Sequence, residues 1–123
     1  MDLTQEQILE MTETIARACG FHCERIKSHV YRVEMLSGEE ESFSIFDPFE
    51  SWDDAMKADD ALEIGPLHFI PKVENMERCW LVGLGHYPYG YQGEHADRLT
   101  AFFIALHEVA KYKLEGYQNE DGN

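Results

Sequence analysis

Cations are what this chain has least of. Ten lysines and arginines stand against 24 aspartates and glutamates, a formal charge of −14 over 123 residues. Binding to nucleic acid or to anionic lipid depends on clustered Lys and Arg that neutralise phosphates, so direct nucleic-acid binding is not expected. Long apolar runs are missing too: none approaches the roughly 18 residues of a membrane span, and residues 1–6 lack the basic and apolar regions of a secretory leader. Cysteine is scarce and odd in number, with Cys19, Cys23 and Cys79 forming no disulfide framework. That usage suits a reducing, cytoplasmic setting. The chain carries no phosphate loop, dinucleotide fingerprint or Gly-x-Ser-x-Gly elbow. Cys19, His22 and Cys23 do not follow zinc-site spacing, and the paired aspartates at 53–54 and 59–60 lack the central glycine of a calcium loop. No cofactor, metal ligand or catalytic residue is assigned on these grounds.

The residues that are present describe a globular chain, 44% hydrophobic and 28% charged. The length suits one domain, assigned to residues 1–116, with a flexible polar tail over 117–123. Thr4 and Gln7 make a capping box, Ile8, Met11, Ile15, Ala18 and Cys19 recur at helical spacing, and Gly20 ends a helix predicted over 4–19. Residues 25–36 and 41–46 alternate as a β-hairpin about a turn at 37–39, with Phe43 and Ile45 on the buried side. Ser51 caps a second helix whose Ala55, Ala58 and Leu62 form a narrow face, stopped at Gly65-Pro66. Residues 67–72 and 77–84 form a second hairpin. Its later strand is apolar on both faces and so central in a sheet. Residues 85–93 read as a loop, and a last helix runs from near Glu94 to Gly116 along Leu99, Phe102, Phe103, Leu106, Val109 and Ala110. The order α-β-β-α-β-β-α predicts an α+β fold, with one antiparallel sheet of about four strands in an α-β-α layering.

The segment Phe46-Asp47-Pro48-Phe49-Glu50-Ser51-Trp52-Asp53-Asp54-Ala55-Met56 resembles the signature of the phage ABA-sandwich domain and its NinX-like relatives, in which an Asn-Pro, a short acidic stretch and an Asp-Ala end a strand and open a helix. Arg98, Thr100 and Ala101 resemble the family's closing helix. Asp47 replaces the usual asparagine, and no proline precedes that helix. The resemblance spans roughly residues 30–113. It implies an α-β-α fold, a phage origin and structural roles for Pro48, Trp52, Asp54 and Ala55, but no shared reaction.

The densest chemistry lies between residues 86 and 98. Tyr87, Tyr89 and Tyr91 offer flat faces for stacking, His86 and His95 flank them, and the intervening glycines permit close backbone approach to a ligand. The segment leads into a helix N-terminus, where free amides and Arg98 would favour a phosphate. His86, Tyr87, Tyr89, Tyr91, His95 and Arg98 are therefore the expected ligand-binding residues. The expected function is a small acidic binding module, accessory or anti-defence in role. It would sequester a nucleotide-like molecule or occupy a host protein through its acidic surface. A homodimer is compatible with such a domain. The competing expectation is a small hydrolase with a loop histidine as general base.

Overall fold

A computed structural model describes residues 3–35, 38, 40–85 and 91–121, with the backbone alone for 74 and 116–121. Helix α1 spans Gln5–Cys19. The Gln7 N–H donates to Thr4 Oγ1 at 3.1 Å while the Thr4 N–H donates to Gln7 Oε1 at 2.8 Å, closing the expected capping box. Gly20 ends the helix in the left-handed region, at φ 80°. Three strands follow, β1 (Cys23–Ile26), β2 (His29–Met35) and β3 (Glu41–Ile45), forming an antiparallel meander. Helix α2 (Trp52–Leu62) is capped by Ser51, whose Oγ accepts the Asp54 N–H at 3.2 Å. A second meander, β4 (Leu67–Glu74), β5 (Glu77–Leu84) and β6 (Tyr91–His95), leads to α3 (Arg98–Asp121).

The architecture is α+β, but the single four-stranded sheet is not formed. Among the described residues there are two separate three-stranded antiparallel sheets, in the orders β1-β2-β3 and β4-β5-β6. Helices and sheets still pack in layers: α1 packs on β1 and β2, α3 packs on β5 and β6, and α1 and α2 both pack on α3. Local alternation marks a strand but does not say which hairpins share hydrogen bonds, and here neither meander pairs with the other. β5 is central, as its two apolar faces predict. The Ser37-Gly38-Glu39 turn lies largely outside the described residues.

Two strands escape the sequence reading for identifiable reasons. β1 and β2 join through a two-residue turn at Lys27-Ser28, with Lys27 at φ 57° and no glycine to announce it. β6 occupies part of the expected loop. Its inward residues include Gly93, which has no side chain to contribute to a hydrophobic pattern. Helix α3 consequently begins at Arg98 rather than near Glu94, and it continues past Gly116 to Asp121.

The core is built around α3. Leu99, Ala101, Phe102, Phe103, Ala105, Leu106, Val109 and Ala110 are all buried, so the predicted stripe is widened by Ala101 and Ala105 to an arc of about 200° of the helix. Ala101 and Ala105 face β6. An added Cβ at Gly93 would run into the Ala101 carbonyl oxygen and come 2.6 Å from the Ala105 nitrogen. α1 is likewise covered on two sides, by sheet and by α3. Leu9, Thr12, Ile15 and Ala16 are therefore its buried residues, and the broader stripe of Ile8, Met11, Ala18 and Cys19 is only partly covered. The buried Thr12 hydroxyl donates to the Ile8 carbonyl at 2.7 Å and so leaves no donor unmatched.

Candidate functional site

His86, Tyr87 and Tyr89 lie outside the described residues. The other three expected ligand residues sit at two ends of β6 and at the start of α3. Tyr91 pairs with Leu84 in the sheet and its ring meets Tyr112 of α3 at 5.6 Å between centroids. Burial, and then the neighbouring Tyr112, raise its hydroxyl pKa. Together these rings border a shallow groove of about 350 Å³ that also includes Gln92, Glu108 and Lys111. His95 pairs with Trp80, four residues further along the strand from Tyr91. At about 3.3 Å per residue the two are roughly 13 Å apart, so they do not share a small-ligand pocket.

Arg98 is held by rings. Its guanidinium carbon lies 5.1, 5.4 and 5.3 Å from the centroids of Trp52, Phe69 and Trp80, inside the range of cation–π attraction. The amide end of α3 is occupied as well. Asp97 Oδ2 accepts the Thr100 N–H at 2.9 Å and the Thr100 hydroxyl at 2.8 Å, which holds the Asp97 carboxyl below the usual range. A phosphate approaching this helix end would meet a carboxylate already seated there. The Asp97 N–H in turn donates to His95 Nδ1 at 3.0 Å, engaging that nitrogen's lone pair. Gly93, one of the glycines read as an opening for a ligand, opens the strand to α3 instead.

The signature segment is built into the fold. Asp54 Oδ2 accepts the Asp47 N–H at 2.9 Å, Pro48 is fully buried, and Ala55 packs in the core. Among the described residues no group of three or more His, Cys, Asp or Glu side chains is placed to hold a metal ion. Cys19 is half-buried with its thiol toward the Ala58 carbonyl at 3.7 Å, and burial pushes its pKa up to about 12. No described helix is long and apolar enough to cross a membrane.

The feature that sequence reasoning misplaced is the outer face of the first sheet. Residues opposite one another in an antiparallel ladder share a face. The pairs Ile26–His29, Tyr31–Ile45, Val33–Phe43 and Met35–Glu41 define one side. The pairs Arg25–Val30 and Cys23–Arg32 define the other. The second side faces α1: Val30 is buried, Arg25 bridges to Glu6 and Glu13, and Arg32 lies 4.3 Å over the Phe21 ring and bridges to Glu34 at 3.1 Å. Phe43 and Ile45, expected on the buried side, therefore point outward. Ile26, Phe43, Ile45 and Met35 are 44, 46, 52 and 63% exposed. The alternating pattern at 41–46 reveals that one side is apolar, and α1 covers the opposite side, where Val30 is buried and Arg25 finds Glu6 and Glu13 on the helix.

This face runs into a cleft of about 260 Å³ between α1, the β1–β2 turn and the segment that follows β3. Ile45 and His29 belong to both. The cleft is lined by the apolar Ile8, Leu9, Phe46 and Phe49 together with the polar Gln5, Thr12, Ser28, Asp47 and Glu50. Compared with protein-family models, with curated proteins and with solved structures, the chain matches none.

Proposed function

We propose that this chain is a non-enzymatic binding module that acts by occupying a basic partner protein. One observation carries the reading: the first sheet leaves four large apolar side chains exposed on one face while its two arginines are turned to the other and paired with carboxylates. An exposed apolar patch with a polar rim is the ordinary form of a protein-interaction surface. The charge of −14 then selects for partners with a basic surface and speeds their encounter. The resemblance of residues 46–56 to the phage ABA-sandwich signature supports a phage accessory role, with the partner in the host.

The nucleotide-like ligand is the less favoured form of the reading, because the α3 amides serve Asp97 and the Arg98 charge is engaged by three rings. The hydrolase alternative is weaker again, since the His95 Nδ1 lone pair already accepts a backbone N–H. The test is affinity capture from host lysate at low and high salt, with native chain and with the outward variants Phe43→Ser and Ile45→Ser. Capture that falls steeply with salt and fails for both variants is the expected result. Partners retained at high salt, or captured equally by the variants, would remove this reading.

A further inference from the structure

We infer that the cleft beside the first sheet is an anchor pocket for one cationic side chain of the partner, an alkyl stem ending in a guanidinium or ammonium group. The inference rests on the binding role proposed above and specifies which group enters. The lining combines apolar side chains, Ile8, Leu9, Phe46 and Phe49, which suit a methylene stem, with the carboxylates of Asp47 and Glu50, and holds no lysine or arginine. Long basic side chains bury their stems in this way while the charged head stays at a polar edge. Asp47 is set in position beforehand, because its Oδ1 accepts the Glu50 N–H at 3.2 Å and its own N–H is held by Asp54. A carboxylate fixed in advance loses less on binding. Arginine in a central pocket is a common hot spot of protein interfaces. The cleft opens at Ile45 and His29 onto the exposed apolar face, so a partner lying on that face can direct a side chain into it.

Charge decides between this occupant and a second copy of the chain. Glu24 pairs with Tyr31 and Glu41 with Met35, so carboxylates stand on the same face as the apolar residues. Two such faces, each on a chain of charge −14, would bring like charges together. A basic partner neutralises them.

The test uses acetyl-arginine amide as the probe, titrated into the full chain at low salt and followed by the methyl resonances of Ile8, Leu9 and Ile45. Saturating shifts in the millimolar range are expected. Glu50→Gln, or Gln5→Trp to block the mouth, should weaken them by about five-fold or more, as should replacing the probe by uncharged acetyl-citrulline amide. Both variants sit at exposed positions, so folding is not in question. No shift up to about 50 mM, a concentration well above millimolar affinity, would overturn the inference. An equal response to citrulline would do the same, as would self-association that shields these methyls without probe. If arginine fails while salt-dependent capture through Phe43 and Ile45 persists, the pocket is lost and the binding role stands; if both fail, both are lost.

Discussion

Gly93 of β6 lies directly against the α3 backbone at Ala101, with no room for a side chain between strand and helix. Its obstacle is main chain on a buried helix, which cannot swing aside as a flexible side chain could. Gly93→Ala should therefore destabilise the fold by about 3 kcal/mol, at the upper end of ordinary overpacking. Gly85→Ala is the contrast: a Cβ there meets nothing closer than 3.8 Å, but the backbone sits at φ 96°. It should cost about 1 kcal/mol from conformation alone. Urea unfolding midpoints of the two variants check both values.

The three rings around Arg98 make a second prediction. Arg98→Ala should cost about 1–2 kcal/mol and shift the tryptophan emission, because Trp52 and Trp80 both lose a cation above their faces. Arg98→Lys keeps the charge and loses the planar stacking, so it should fall between the two. Thermal melts followed by tryptophan fluorescence read stability and environment together.

His107 links stability to pH. Burial holds its imidazole below the ordinary value of 6.5, the Lys111 ammonium adds to that effect and Glu108 opposes it. Below about 6.5 the unfolded chain takes up a proton that the folded chain still refuses, so the unfolded state gains. The His107 contribution is complete above that pH and is lost as pH falls toward the lower folded-state value. Replacing His107 by Gln should flatten the loss of melting temperature between about pH 7.5 and pH 5.5, relative to the native chain.

Cysteine reactivity gives a fourth. With its thiol pushed up to about 12 by burial, Cys19 holds almost no thiolate at neutral pH, and burial raises Cys23 in the same direction. Iodoacetamide at about pH 8, below the ordinary thiol pKa of about 8.5, should leave Cys19 unlabelled in the folded chain and label it once urea is added. Peptide mass analysis of the alkylated chain settles which cysteine reacted.

Much of the fold is written in local chemistry. Thr4 with Gln7, Ser51 with Asp54, and Gly20 in its left-handed cap are side-chain and backbone preferences that operate within a few residues, and they mark α1 and α2. The candidate site is a different matter. Phe43 and Ile45 look like core residues by alternation, and it takes the burial of Val30 and the salt bridges of Arg25 to α1 to show that the sheet turns its other side inward. Arg98 reads as a cation available to a ligand until Trp52, Phe69 and Trp80, separated from it by 18 to 46 positions in sequence, are seen around it. Gly93 reads as ligand access until α3 is found against it. Each misreading concerns a contact made between distant segments, which spacing along the chain does not encode.

The central place of α3 bears on how the protein is made. Every element that packs against this helix is synthesised before it. While the ribosome is still extending residues 99–110, Val82, Leu84 and Leu62 have no partner surface to close over them. The first meander can close on α1, but the second must wait with its inner side open, and its compaction comes only as this last helix emerges. A nascent chain stalled before it would be a client for chaperones, so truncation within α3 should yield insoluble material and not a smaller stable domain.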